Sequence, residues 1–161
     1  MFVHSRINTR NMESMNPSLN SISPVDGRYH GVTESLSAYF SESAIIRYRI
    51  LVEVEYFIAL CNLPLPQLKG FNKKRFNELR SLYRKFEEAD AAKGKAFEKV
   101  TNHDVKATEY FLRARFDELG LGSFKEFIHF GLTSQDIHNP AFPLALRDAV
   151  EESVPPCLAQ S

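Results

Sequence analysis

Three short polar clusters contain the side chains of this sequence whose types and spacing could bind a ligand. Residues 26–29 (Asp-Gly-Arg-Tyr), 101–104 (Thr-Asn-His-Asp) and 133–136 (Thr-Ser-Gln-Asp) form these clusters. Each lies where a regular element is expected to begin or end, so backbone N–H groups and side chains can converge there. Their shared chemistry is the binding of a small anionic ligand between helices.

The first cluster places an arginine and a tyrosine on a turn. The guanidinium of Arg28 can bind a phosphate or a carboxylate bidentately, and the hydroxyl of Tyr29 adds a donor. The alternative, which composition alone favours, is an ordinary arginine on a surface loop.

The second cluster comes immediately before, or within, the first turn of a predicted helix. Free N–H groups and the partial positive charge of a helix N-terminus suit an anion. His103 could donate to that anion, or act as an acid or base near neutral pH. In the alternative interpretation, Asn102 or Asp104 merely caps the helix.

The third cluster offers the hydroxyls of Thr133 and Ser134 at another helix start, where they could hold a carboxylate. The alternative is a plain capping box between Thr133 and Asp136. No metal site is expected here, because His129, Asp136 and His138 contain no pair at the i, i+4 spacing of helical zinc sites. No phosphate loop, nucleophile elbow or dinucleotide fingerprint is present, and no cofactor is expected.

The elements that position these clusters are predicted to be helices. The unbroken run from Ser41 to Cys61 is too long for a strand and predicts a helix buried on most sides, ended by Pro64 and Pro66. Two amphipathic helices follow. The first starts near an N-cap at Asn72, and its apolar positions are Phe76, Leu79, Tyr83 and Phe86. The second is closed by Gly120 and Gly122, and its apolar positions are Val105, Thr108, Leu112, Phe116 and Leu119.

Two capping signals predict the last elements. Ser123 with Glu126 predicts a capping box for a short helix that ends at Gly131, and Thr133 with Asp136 opens the final helix. Because a proline removes a helical N–H, that final helix is expected to kink or restart near Pro140. The predicted fold is all-α.

Composition excludes several classes of protein. Lys and Arg total 20 and Asp and Glu total 20, which argues against nucleic-acid binding through bulk charge and against a polybasic membrane-surface protein. No apolar stretch approaches the ~18 residues of a membrane span. Cys61 and Cys157 form no disulfide framework, which favours a reducing, cytoplasmic setting.

Three segments are expected along the chain. Residues 1–16 have few apolar positions and no period, so a disordered extension is predicted. Residues 17–152 form the helical domain. Residues 153–161 no longer have the pattern of a continuing helix and form a divergent tail.

Taken together, the clusters resemble the N-terminal domain of adenylosuccinate lyase, in the fumarase/aspartase superfamily. The resemblance runs from about residue 23 to about residue 152, and three motifs in family-like order favour the bacterial-type subgroup. They are SPVDGRY at 23–29, TNHDVKA at 101–107 with EYFL at 109–112, and EFIHFGLTSQDI at 126–137.

The resemblance implies an all-α fold and a reaction, the β-elimination of fumarate from adenylosuccinate to give AMP and from succinyl-aminoimidazole carboxamide ribotide. It also implies a homotetramer for the complete enzyme. The implied substrate-binding residues are Arg28 and Tyr29 at the nucleotide phosphate, Asn102, His103 and Asp104 along the substrate, and Thr133 and Ser134 at a succinyl carboxylate.

The departures from the family pattern are also informative. The family's general acid lies in a Thr-His-Gly-Gln-Pro-Ala motif and its base in a Gly-Ser-Ser-x-Met-Pro-x-Lys loop, and neither occurs in this sequence. The long central helices of the family are absent too, and His138 stands where the family usually has Asn. We therefore assign no catalytic residue and expect the chain alone to be inactive. The pattern fits a truncated or frame-shifted reading frame, or a chain that was cut deliberately.

Two other hypotheses remain open at this point. The chain could be a non-catalytic helical module that binds a purine nucleotide or a lyase subunit. It could also be a non-functional gene fragment that folds poorly and exposes apolar faces.

Overall fold

The computed structural model describes residues 21–159, and every regular element in that range is helical. The prediction of an all-α fold is therefore confirmed for this part of the chain. The α-helices are α1 (His30–Thr33), α2 (Ser37–Phe40), α3 (Glu42–Asn62), α4 (Phe76–Arg84), α5 (Glu88–Thr101), α6 (Asp104–Glu118) and α7 (Ser134–Ala159), and 3₁₀ helices span Glu34–Leu36, Pro66–Leu68, Lys73–Arg75 and Gly122–Phe127.

The chain divides into two compact units, one up to Ser35 and one from Leu36 onward. The described part of the first unit consists mainly of the predicted turn. The N–H of Gly27 donates to the carbonyl of Ser23 (3.0 Å) and the N–H of Tyr29 donates to the carbonyl of Pro24 (2.8 Å). The short helix α1 follows. The predicted extension at residues 1–16 lies outside the described residues.

The second unit is organised around α3, a 21-residue helix that contacts α2, α4, α5, α6 and α7. Ser41 caps its start by accepting from the N–H of Ala44 (3.2 Å), and Leu63, which precedes Pro64, ends it. Because neighbours surround the helix, it buries residues in every direction, as predicted. The buried residues are Ala44, Ile46, Tyr48, Arg49, Ile50, Glu53, Val54, Phe57, Ile58, Leu60 and Cys61.

The main apolar cluster is centred on Phe57, which is only 1% exposed. Its ring makes edge contacts with Phe71 and Phe116, at centroid distances of 5.3 Å and 5.0 Å. Cys61 lies in the same cluster, and burial raises the pKa of its thiol to about 11. The side chain of Cys157 lies outside the described residues.

The first amphipathic helix starts as expected but ends earlier. Asn72 accepts from the N–H of Lys74 (3.1 Å) and begins a 3₁₀ turn that continues into α4. Helix α4 ends at Arg84, so Phe86 lies beyond it, although Phe86 still packs against the apolar cluster. The second amphipathic helix is confirmed as α6, and Gly120 follows it with a φ of 68°.

Helix α5 was not predicted from the sequence. It begins with a reciprocal capping box between Glu87 and Asp90 and ends at Asn102, which has a left-handed φ of 50°. Its apolar positions are few, because much of its buried face consists of Ala91 and Gly94.

The predicted capping box between Ser123 and Glu126 is wrong. Residues Gly122–Phe127 form a 3₁₀ helix with Leu121 at its N-cap, so Ser123 lies inside the element. The carboxylate of Glu126 pairs instead with Arg113 on α6. The element also ends at Phe127, with Ile128 as its C-cap, rather than at Gly131.

Helix α7 is continuous through Pro140 and Pro143, so the expected restart near Pro140 does not occur. Each proline removes one backbone donor, but Ala141 and Ala145 are fully buried against Tyr48 of α3, and this packing favours an unbroken helix. The helix runs to Ala159, so the divergent sequence from residue 153 does not interrupt it.

Candidate functional site

The first cluster is an exposed pair in the first unit. A guanidinium N–H of Arg28 donates to the hydroxyl of Tyr29 (2.8 Å), and the guanidinium carbon lies 4.6 Å from the centre of the tyrosine ring. The hydroxyl accepts in this bond and can still donate its own proton. The turn beneath is tight, because a Cβ at Gly27 would lie 3.1 Å from the carbonyl oxygen of Ser23.

The second cluster joins α5 to α6. Asn102 ends α5, and its N–H donates to the carbonyl of Glu98 (2.8 Å). His103 is the N-cap of α6, and its Nδ1 accepts from the N–H of Lys106 (3.3 Å). The carboxylate of Asp104 accepts from the N–H of Val105 (2.8 Å). Capping of α6 is thus shared by His103 and Asp104, whereas Asn102 belongs to the preceding helix.

The third cluster opens α7. The carboxylate of Asp136 accepts from both the backbone N–H (2.7 Å) and the hydroxyl (2.9 Å) of Thr133. The predicted pairing of Thr133 with Asp136 is confirmed, although the threonine hydroxyl donates rather than accepts. The hydroxyl of Ser134 points elsewhere, toward the ring of His103.

The second and third clusters meet at one point in the fold. Nε2 of His103 lies 3.3 Å from Oγ of Ser134, although the two residues are 31 positions apart. Since Nδ1 of His103 accepts a hydrogen bond, a neutral ring carries its proton on Nε2 and donates toward the pocket. The N-terminal ends of α6 and α7 are therefore adjacent, and both direct partial positive charge to the same place.

A pocket of about 320 Å³ opens at this junction. Its lining adds charged side chains that the sequence reasoning did not select. The lining residues are Thr101, His103, Val105, Lys106, Glu109, His129 and Ser134. The i, i+3 spacing from His103 to Lys106 was the available signal, since it places both side chains on the first turn of α6.

The acidic member of the pocket, Glu109, is paired. Lys106 donates to its carboxylate (2.8 Å), and a guanidinium nitrogen of Arg113 lies 3.6 Å from the other oxygen. Glu109 is 6% exposed, so its charge is largely balanced within the protein. Because the charge of Glu109 is balanced, it does not cancel the hydrogen-bond donors that the pocket offers to an anion.

Behind the pocket lies the buried carboxylate of Glu53. It accepts from the backbone N–H of His129 (3.1 Å), and its other oxygen lies 2.6 Å from Nδ1 of the same residue. Burial raises the pKa of Glu53, and the hydrogen bonds from His129 oppose that rise. The sequence reasoning considered His129 only as a metal ligand.

Asp104 has a structural environment. Its carboxylate lies 2.6 Å from a guanidinium nitrogen of Arg49 and 3.3 Å from Nε2 of His138. Burial by itself would raise the pKa of Asp104, but Arg49, the Val105 N–H and His138 outweigh it and lower the pKa. The cluster connects α3, α6 and α7, and Asp104 is not among the residues that line the pocket.

Within residues 21–159, no three His, Cys, Asp or Glu side chains converge in a way that could hold a metal ion. Over the same range, no helix combines the length and the hydropathy needed to cross a membrane.

The amino-acid sequence can now be compared with those of known proteins. Curated relatives match most of the chain. They are the adenylosuccinate lyases of Dictyostelium discoideum (51% identical over 147 residues), Legionella pneumophila strain Corby (44% over 144) and Escherichia coli strain K12 (39% over 141). No family model matches the chain.

The matches cover 89%, 88% and 86% of this chain, but only 32%, 32% and 31% of the respective relatives. The chain is therefore homologous to the adenylosuccinate lyases and spans about a third of the length of the curated relatives it matches. The resemblance inferred from the three motifs is confirmed.

Proposed function

We propose that this chain serves as the substrate-binding portion of an adenylosuccinate lyase, an enzyme that eliminates fumarate from adenylosuccinate to give AMP. The same enzyme would act on succinyl-aminoimidazole carboxamide ribotide. The observation that carries the proposal is the 3.3 Å approach of His103 Nε2 to Ser134 Oγ at a pocket, because it brings together two motifs of the resemblance. The names of the relatives support the same function.

The charge of the pocket suits a multiply anionic substrate. His103 and Ser134 can donate to oxygen atoms, and two helix N-termini add partial positive charge. The ammonium of Lys106 is half exposed, so it can contact both Glu109 and an incoming anion. A phosphate or carboxylate group would thus find several donors at one place.

The roles proposed for Arg28, Tyr29 and Asn102 rest on the family resemblance, because none of the three lines this pocket. We assign Arg28 and Tyr29 to the nucleotide phosphate, and His103 with Asn102 to the body of the substrate. Of the two hydroxyls in the third cluster, Ser134 suits the succinyl carboxylate better, because the hydroxyl of Thr133 already donates to Asp136.

Asp104 contributes to the proposed site indirectly. Its carboxylate is held by Arg49 and His138, so it fixes the first turn of α6 rather than reaching into the pocket. The proposed homotetramer of the complete enzyme would supply the remaining walls, together with the general acid and base whose motifs this sequence lacks. The proposed setting is cytoplasmic, and no nucleic acid, metal or cofactor takes part.

Ligand binding can be tested on the chain itself. Addition of AMP or adenylosuccinate should raise the melting temperature, and His103→Ala and Arg28→Ala should each abolish the rise. Arg84→Ala is a matched control, because Arg84 also lies over the ring of a neighbouring tyrosine, Tyr83, at 5.8 Å. An unchanged melting temperature with both ligands would contradict the proposed binding. The purified chain should show no turnover of adenylosuccinate.

A second candidate function is a non-catalytic helical module that binds a purine nucleotide or a lyase subunit. Its support is that the anion-binding residues are present in a sequence without the acid and base motifs. Sequencing the gene downstream of the Ser161 codon in all three frames separates the two candidates. Finding both the acid and the base motif downstream would favour the lyase. Finding neither would favour the binding module.

A further inference from the structure

The carboxylate of Glu53 is unusual in its burial and in its partners. Its side chain is 0% exposed, and both of its oxygens contact one residue, His129, which lies 76 positions further along the chain. A buried carboxylate without a full ion pair is unfavourable, so its presence in the middle of α3 calls for a specific role.

His129 has a conformation that needs support. Its φ of 57° lies in the left-handed region, which a residue with a Cβ adopts rarely. One oxygen of Glu53 accepts from the backbone N–H of His129 at 3.1 Å, and the other lies 2.6 Å from Nδ1 of its ring. A single rigid carboxylate therefore fixes both the backbone and the side chain of His129.

The contact also determines which ring nitrogen faces the ligand. With Nδ1 donating to Glu53, Nε2 is the ring atom of His129 left to exchange a proton or a hydrogen bond in the pocket. His103 has the reverse arrangement, since its Nδ1 accepts from Lys106 and its Nε2 carries the proton. Both residues line the same pocket.

We infer that Glu53 is a positioning residue that holds the neutral ring of His129 in the Nδ1–H form, the tautomer opposite to that of a neutral His103 in the same pocket. His103 then offers a donor to an anionic oxygen of the ligand, and His129 offers an acceptor to an N–H or O–H group of the ligand. The relevance of this pair to substrate rests on the proposed function, whereas the tautomers themselves are a property of the free chain.

Opposing influences act on the ionisation of Glu53. Burial raises its pKa most, and the carboxylate of Glu109 on α6 raises it further, although Lys106 and Arg113 partly neutralise Glu109. From the loop after the last 3₁₀ helix, His129 stabilises the ionised form of Glu53. The ionised carboxylate can accept both hydrogen bonds at once, whereas a protonated one would donate to Nδ1 and reverse the tautomer of His129.

The test is a long-range ¹H–¹⁵N correlation spectrum of the histidine rings at pH 8, recorded on the ¹⁵N-labelled chain without ligand. The sequence contains five histidines, and His129→Gln and His103→Gln identify the two of interest. We expect the Nδ1–H signature for His129 and the Nε2–H signature for His103. An Nε2–H signature for His129 would overturn the inference, and this result requires no variant of Glu53.

Glu53→Gln sharpens the test. The amide replaces one of the two oxygens by an NH2 donor, so the two hydrogen bonds of His129 can no longer go to separate oxygens, and the ratio of Nδ1–H to Nε2–H should fall about tenfold. Glu55→Gln is the matched control on the same helix, because Glu55 pairs with Arg80 (2.8 Å) and Tyr83 (2.8 Å) rather than with a histidine. Glu55→Gln should leave both signatures unchanged. Equal spectra for wild type and Glu53→Gln would contradict the positioning role.

Titration with AMP separates this inference from the proposed function. If the tautomers are as expected but AMP shifts neither histidine, the positioning role stands and the proposed binding fails. If AMP binds while His129 carries its proton on Nε2, the proposed binding stands and the positioning role fails.

Discussion

Two parts of α3 differ in what their side chains contact, although apolar residues are buried along the whole helix. The apolar part, around Phe57, packs with aromatic and aliphatic side chains from several elements. The charged part, residues 49–55, buries Arg49 (9% exposed) and Glu53 (1% exposed), whose partners are Asp104 at the start of α6 and His129, which borders the pocket.

The difference shows that one helix contains residues that stabilise the fold and other residues that fix the positions of groups at the candidate site. Apolar burial is non-directional and contributes roughly 25 cal/mol per Å² removed from water. Buried charged pairs contribute little net stability, because desolvation offsets their attraction, but they hold their partners at defined distances and angles. The apolar part therefore stabilises the fold, and the charged part positions the groups of the candidate site.

The largest expected effect on stability comes from the apolar part of α3. Phe57→Ala would remove a ring with two edge contacts and leave a cavity, lowering the free energy of unfolding by about 3–5 kcal/mol. Phe40→Ala, at a position that is 47% exposed, should lower it by less than about 1 kcal/mol. Urea denaturation measures both. Similar losses for the two variants would refute a core centred on Phe57.

A smaller effect is expected where a charge is removed from α3. Arg49→Ala would remove the permanently charged partner of Asp104 and should lower the free energy of unfolding by about 2 kcal/mol. The value lies below that of a fully buried pair, because Asp104 is 36% exposed. Arg147→Ala, which removes an exposed arginine that pairs with Asp148, should change it by less than about 0.5 kcal/mol. Equal losses of unfolding free energy for Arg49→Ala and Arg147→Ala would contradict a role of Arg49 in holding Asp104.

The charged part of α3 should also make the free energy of unfolding depend on pH in acid. The pKa of Glu55 is lowered chiefly by its bond from Arg80, and that of Asp104 is lowered because Arg49, the Val105 N–H and His138 outweigh burial. Each contribution is present above the ordinary carboxyl pKa of about 4 and is lost as the pH falls through the lowered value. Asp104→Asn should make the loss between about pH 5 and pH 2 shallower, as followed by thermal melts. If the melting temperature of Asp104→Asn fell with pH as steeply as that of the wild type, the proposed contribution of Asp104 would be contradicted.

The smallest effect concerns the contact between α3 and α5. Gly94→Ala would place a methyl group 3.6 Å from Cγ2 of Ile46, an ordinary contact, and should raise the free energy of unfolding by about 0.5–1 kcal/mol through helix propensity. Gly122→Ala offers a contrast, because its Cβ would lie 2.5 Å from a carboxylate oxygen of Asp117. Chemical denaturation measures both variants. Destabilisation by Gly94→Ala would show that the helices approach more closely there.

Local patterns predicted some elements well and others poorly. The long run that became α3 and the periodic run that became α6 have many apolar positions, and both were found. Helix α5 was missed because small residues, Ala91 and Gly94, form much of its buried face and carry little hydropathy signal. Around Ser123, the capping pattern was misleading because Glu126 found a partner on another helix, Arg113.

The sequence by itself determined the all-helical fold, the turn that carries Arg28 and Tyr29, and the family to which the three motifs point. These properties depend on local periodicity, on backbone constraints and on residue types in order. Only the tertiary structure decided that His103 meets Ser134, that Glu53 holds His129, and that Asp104 turns to Arg49 and His138. The physical reason is that these contacts join residues distant in the chain, and burial makes each polar group take whichever partner the packed helices bring within reach.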